Sequence, residues 1–252
     1  MVYRYTIIIV TLTFIGCSIP NELPRISIHK RVSPKQKEEI LKKADILNNK
    51  GIKAYKEKRF NDALSYYMQS LNIKRRFLKE NSLSIATTYN NIGLAYKALQ
   101  NYKMALKYIL ASLKIRENIL GRNSSLVAES YNNLGVLYLK LGELDRAIEY
   151  TKKTIDIKNN IIKKEKRDTA IAYNNLAVMY EKRGDYNLAL NNYFKALNIA
   201  KEISNKTDDR FIKHIYKNIA TIYYTTGDYQ KAKEFFRLGN SNKIELEPII
   251  VN

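Results

Sequence analysis

Five asparagines recur at a fixed interval: Asn49, Asn91, Asn133, Asn175 and Asn218, separated by 42, 42, 42 and 43 residues. A primary amide sets a donor beside an acceptor, the complement of one peptide unit, and asks nothing of that peptide's side chains. The same amide also serves for a bond between neighbouring helices, or for plain solvent contact. Asn is a poor residue for a helix interior because its side chain competes for backbone groups. Five placements in one register therefore favour recognition. Lys97, Lys140 and Lys182, with Tyr224, follow these asparagines by six or seven residues, and His214 precedes Asn218 by one helical turn. A lone histidine there reads as a polar surface residue and not as a catalyst. No phosphate-cradling Gly loop, nucleophile elbow or paired-carboxylate motif occurs, and two histidines and one cysteine leave little material for metal or acid–base chemistry. No catalytic, metal or cofactor site is expected, and enzymatic activity is not.

Composition narrows the class further. The chain of 252 residues is 45% hydrophobic and 27% charged, which is globular usage. Its formal net charge is +20. A field of that size attracts polyanions and anionic surfaces. The lysines are scattered, however, and abundant Lys, Ile, Asn and Tyr are what an AT-rich coding sequence produces. The charge is read first as a solvated surface, nucleic acid is not an expected partner, and a polyanion or anionic-surface binder stands as the alternative.

Elements that position the asparagines are visible as a repeat. The blocks Asn48–Tyr55, Asn90–Tyr96, Asn132–Tyr138, Asn174–Tyr180 and Lys217–Tyr223 share a small residue at Gly51, Gly93, Gly135, Ala177 and Ala220, and Ala63, Ala105, Ala147, Ala189 and Ala232 follow each by 12. Tyr131, Leu134 and Tyr138 fall at i, i+3 and i+7, as do their counterparts in neighbouring copies, which is helical spacing. Gly142, Gly184 and Gly227 then break the pattern, each followed by an acidic residue suited to begin a second helix. Each copy is thus two antiparallel helices that approach where both carry a small residue. Turns between copies are read at Lys79-Glu80-Asn81-Ser82, Gly121-Arg122-Asn123-Ser124 and Arg167-Asp168-Thr169.

The order of a large residue, Leu-Gly, Tyr, Gly-Asp-Tyr, Ala and an aromatic resembles the tetratricopeptide repeat (TPR), whose usual period is ~34. The longer period here resembles the variant found in kinesin light chains. The resemblance implies an all-α, right-handed superhelix (an α-solenoid) of about five helix-turn-helix repeats, at about 35–78, 83–120, 125–163, 168–204 and 209–239. It departs at Lys58, where Gly is expected, and at Gly239 after a short last helix. It also implies a concave groove lined by the first helices, in which Asn49, Asn91, Asn133, Asn175 and Asn218 hold the backbone of an extended partner peptide. Lys97, Lys140, Lys182 and His214 stand nearby, with apolar positions at Leu94, Val136 and Val178. The clamp by which chaperone-binding relatives hold a terminal carboxylate needs a basic residue and an asparagine four positions later. Asn48 and Ile52 occupy that pair in repeat one, so such a ligand is disfavoured.

The amino terminus carries a separate message. One charge, Arg4, precedes the uncharged run Thr6–Ile15, half of what a membrane span needs, so residues 1–16 read as a signal peptide. Phe14-Ile15-Gly16-Cys17 resembles the lipobox of bacterial lipoproteins, which implies lipidation at Cys17 and a lipid-anchored place in the cell envelope, at the outer membrane or facing the periplasm. Residues 17–34 hold Pro20, Pro24 and Pro34 and read as an extended tether. In residues 240–252, Ile249-Ile250-Val251 is either a cover for the end of the last repeat or a frayed terminus. The reading that follows is a membrane-anchored scaffold for an extended peptide of a protein partner, with a cytoplasmic TPR adaptor as a further alternative.

Overall fold

The computed structural model describes residues 32–161, 166–203 and 210–240. Cys17, the leader, most of the tether and the carboxy-terminal segment lie outside the described residues. Ten helices follow one another, with no strand among the described residues: α1 (Pro34–Lys56), α2 (Phe60–Phe77), α3 (Leu83–Ala98), α4 (Tyr102–Leu120), α5 (Ser125–Leu141), α6 (Leu144–Ile161), α7 (Lys166–Arg183), α8 (Tyr186–Ile203), α9 (Arg210–Thr225) and α10 (Tyr229–Asn240). Each odd-numbered helix packs most closely on the even-numbered helix after it and next on the one before it, while α1, α3, α5 and α7 touch in succession. That is the right-handed superhelix of five helix pairs, with the first helices forming a continuous inner surface.

Helix ends follow from capping residues. The Ser33 side chain accepts from the Gln36 amide and the Gln36 side chain returns a bond to the Ser33 backbone, so Pro34, read as tether, is the first residue of α1. Ser82 and Ser124 accept the amides of Ile85 and Val127, as their turns predict, each cap contributing about 1 kcal/mol. Arg167-Asp168-Thr169, read as a turn, is helical instead. α7 already begins at Lys166, and Asp168 sits in its first turn facing Lys158 at 3.0 Å.

Small residues set the crossings. A Cβ on Gly135 would lie 2.5 Å from the Thr151 hydroxyl and 3.3 Å from the Ala147 carbonyl. Tyrosine pairs close the open ends of the same crossings: Tyr96 stacks on Tyr108 and Tyr138 on Tyr150, with centroids 5.7 and 5.4 Å apart. Two buried clusters form the core, one around α1–α3 and a larger one from α4 to α10, and Tyr96 packs against both.

A second periodic feature lies inside the stack. Lys74, Arg116, Lys158 and Lys201, spaced 42, 42 and 43 residues apart, are each less than a tenth exposed near the ends of the second helices. Lys74 bonds the Thr88 hydroxyl of α3 and pairs with Asp45 at 3.1 Å. Arg116 donates to the Leu126 carbonyl and the Ser130 hydroxyl of α5. Lys158 reaches Asp168 of α7, and the Lys201 ammonium lies over the Tyr216 ring of α9. A buried cation must be paired to be tolerated. These pairings join each repeat to the next at a defined register.

Candidate functional site

The inner surface carries the asparagines as pairs. Asn91 Nδ2 donates to Asn48 Oδ1 at 3.2 Å, Asn133 to Asn90 at 3.1 Å and Asn175 to Asn132 at 3.4 Å. The second asparagine of each repeat thus bonds the first asparagine of the repeat before, and an amide ladder runs along the first helices. The structure brings Asn91, Asn133 and Asn175 together in this ladder. Asn49 is exposed, and Asn218 is half-buried with its amide on the Tyr193 hydroxyl. One ladder bond uses one of the two N–H groups of each donor amide, and the carbonyl oxygens of Asn91, Asn133 and Asn175 accept no hydrogen bond from a described residue. Each of these amides retains one donor and one acceptor, the pair that a peptide unit matches. The structural and the recognition uses of these residues are compatible because an amide has enough valence for both.

Charge on this surface is unevenly matched. The acids along the first helices are turned to internal cations and polar groups: Asp45 to Lys74, Glu129 to Arg116 at 3.5 Å and to Asn90 at 3.0 Å, and Glu181 to the Tyr193 hydroxyl at 2.7 Å. Lys97, Lys140 and Lys182 have no ion pair with a described residue. Lys97 is half-buried, and burial, followed by the charge of Lys140, lowers its pKa below the ordinary lysine value. Two ammonium groups are therefore held within electrostatic reach of each other without a counter-ion from the described chain. Lys140 and Lys182 share a register and are exposed, whereas Lys97 stands one position earlier in its repeat. Leu94, Val136 and Val178 lie half-buried between the asparagines and the lysines. His214 is exposed on α9, one turn before Asn218.

Three sets of participants escaped the sequence reading. Asn90 and Asn132 stand in the sequence only as neighbours of the register asparagines, and Asn48 only as the position a carboxylate clamp would use, although the recurring Asn-Asn dipeptide is a signal for a ladder between helices. Glu129 gives no periodic signal. The buried cations do recur every 42 or 43 residues, and alignment of the second helices would have exposed them. No group of three or more metal-ligating side chains occurs among the described residues, and no helix among them is long and apolar enough to cross a membrane.

The profile of the tetratricopeptide repeat matches residues 42–108, 84–160 and 168–238, most of the chain. The chain belongs to the tetratricopeptide repeat family. This TPR array superposes on BtubC (BKLC) from P. vanneervenii with a TM-score of 0.67 at 18% identity, covering 86% of this chain and 97% of that one. A kinesin light chain with nearly identical TPR-like repeats from Podospora anserina gives 0.68 at 16% identity, over 79% and 94%. The Rap conjugation gene regulator of the plasmid pLS20, in complex with the Phr* peptide, gives 0.62 at 16% identity; the TPR array covers 87% of itself on it and 58% of that chain. At these identities the likeness is one of fold. No curated protein is similar enough to the sequence to count as a match.

Proposed function

We propose that this TPR protein is a lipid-anchored scaffold of a bacterial cell envelope that binds an extended peptide segment of a protein partner along the first helices. The observation that carries the reading is the amide ladder, with one donor and one acceptor left over on each of Asn91, Asn133 and Asn175. The unmatched Lys97, Lys140 and Lys182 select carboxylate side chains on that peptide, and Leu94, Val136 and Val178 take its apolar ones. The Rap regulator of pLS20, on a similar fold, is in complex with the Phr* peptide, which supports a peptide partner here. Cys17 supplies the anchor: with about 0.8 kcal/mol per buried methylene, two or three acyl chains hold a protein on a membrane without a spanning helix.

Two experiments address the two halves separately. Cys17→Ser should abolish labelling by a fatty-acid probe and release the protein from the membrane fraction or leave it unprocessed; a wild type that is retained without label removes the anchor. For the groove, a library of extended peptides with fixed Asp or Glu positions is bound to the intact chain at two salt concentrations. The excess of 44 Lys and Arg over 24 Asp and Glu supports the competing reading, a polyanion binder. That reading predicts affinity falling steeply and linearly on a log–log salt plot, with equal binding of unrelated polyanions. The groove reading predicts peptide affinity that survives moderate salt and depends on the apolar positions.

A further inference from the structure

On the outer surface the exposed residues of the second helices are sorted by charge. One register holds Asn61, Ser65 and Asn72 on α2, Lys103, Lys107 and Lys114 on α4, Asp145, Glu149 and Asp156 on α6, and Asn187, Asn191 and Asn198 on α8, at offsets of 42 residues. All of them are exposed. Positions i, i+4 and i+11 fall on one strip of a helix, about 17 Å long. From one repeat to the next the strip is therefore neutral, positive, negative and neutral. A lysine-rich composition does not produce this order, because the chain has only 24 acids in 252 residues and three of them line the strip of α6.

Within one chain this sorting is unfavourable. Like charges four residues apart destabilise a helix, and Lys103 with Lys107 and Asp145 with Glu149 are two such pairs. The chain does not use the opposite charges against each other either. Lys103, Lys107, Lys114 and Asp156 make no ion pair with a described residue. Glu149 meets its neighbour Lys153 at 2.6 Å and Asp145 meets Arg183 at 3.4 Å, both pairs on the exposed surface, where such contacts contribute little.

We propose that the outer face of α4 and α6 docks a second copy of this chain. A two-fold axis parallel to these helices and midway between them sets α4 of one copy on α6 of the other without changing heights along the helices. The two helices begin at equivalent positions, Tyr102 and Leu144. Lys103 then meets Asp145, Lys107 meets Glu149 and Lys114 meets Asp156, and the axis repeats the three pairs on its other side. Leu110, 37% exposed, falls opposite the stem of the exposed Lys152. The same operation lays the uncharged strip of α2 over the uncharged strip of α8. The net charge of +20 opposes association, but that repulsion is screened over about 10 Å at 0.1 M salt, and contacting pairs are closer than this. An acidic polymer is the poorer occupant, because the α6 carboxylates adjoin the lysines it would use. The inner surfaces and their amide ladders face away from each other, so the pairing leaves the peptide groove open.

Sedimentation equilibrium of the intact chain in density-matched detergent micelles, across a concentration series, tests this. The wild type should dimerise at about 50 mM salt and dissociate towards about 500 mM. Lys103→Glu, Lys107→Glu and Lys114→Glu together should weaken the dimer at least about tenfold, although this variant carries less net charge. Asp145→Lys, Glu149→Lys and Asp156→Lys together should weaken it as much. All six positions are exposed, and thermal melts check that each variant is folded. The first variant has two acidic strips and the second two basic ones, so an equimolar mixture should associate as well as the wild type. A chain with all six changes should do so too, at the wild-type net charge. A wild type that stays monomeric at both salt concentrations overturns the proposal, and so do dimers indifferent to both triple reversals. Failure of the mixture or of the six-fold variant to dimerise overturns it as well. So does association that continues past the dimer, because a two-fold contact closes on itself.

Discussion

Lys58 and Gln100 each sit at φ 60°, in the left-handed region, at the register where Gly142, Gly184 and Gly227 have φ of 81°, 86° and 85°. The turn geometry is the same in all five repeats, and in two of them a residue with a Cβ bears it. Holding an L-residue there costs about 1–2 kcal/mol, partly offset in a Gly variant by the greater entropy of its unfolded chain. Lys58→Gly and Gln100→Gly should each stabilise the array by about 0.5–1 kcal/mol, raising the melting temperature by about 2–4 °C per kcal/mol. A fall in melting temperature would mean that the side chains contribute more than the backbone loses. The departure at Lys58 was readable as a missing glycine. That Gln100 shares it was not, because the break in repeat two has no glycine to mark it.

Between elements, the decisive quantity is how closely paired helices approach. Gly135→Leu should destabilise by about 1–3 kcal/mol or more, since the new side chain meets Thr151 and the Ala147 carbonyl at a crossing with no free space. Urea unfolding of the variant measures this directly, and an unchanged midpoint would show that α5 and α6 can separate without loss. Helix identity, pairing and the small crossing residues followed from periodicity, because a 42-residue offset repeated on Gly and Ala fixes both the period and the contact. Helix starts were less accessible. Arg167-Asp168-Thr169 has the pattern of a turn but lies within α7, and Asp168 pairs there with a buried lysine of α6, a contact between elements that no local signal announces. The asparagines were found by register, yet the bonds from Asn91, Asn133 and Asn175 to the preceding repeat depend on how repeats stack and could not be read from one repeat alone.

At the scale of the whole molecule, tyrosine burial ties stability to alkaline pH. Burial raises the pKa of Tyr67 to about 12; for Tyr89 and Tyr131, burial and then hydrogen bonds to Glu80 and Glu117 do the same. The unfolded chain loses these protons near pH 10, while the folded chain keeps them to about pH 12. Stability is thus fully present below pH 10 and declines as pH rises from 10 towards 12. Thermal melts across pH 9 to 12, with tyrosinate absorbance followed in parallel, should show melting temperature falling in that window. A flat profile would contradict the packing of these rings between helices.

The central claim is that the amide ladder along the first helices reads a peptide backbone, and a photo-crosslinker at Thr87 tests it most directly. Thr87 is exposed on α3 one turn before Asn91, and Lys107, exposed on α4, serves as the outer-surface control. The crosslinker is placed in the intact chain in cells, with and without Asn91→Ala, Asn133→Ala and Asn175→Ala together. Loss of three hydrogen-bonding sites worth about 0.5–1.5 kcal/mol each should lower affinity by about one to three decades. Some loss of stability is also expected, because the ladder bonds go too, and a melt of the triple variant keeps the two effects apart. The account predicts capture of a defined, carboxylate-bearing peptide segment from Thr87 and not from Lys107, lost in a triple variant that is still folded. Equal capture from both positions, or capture from Thr87 undiminished in the folded triple variant, would contradict it.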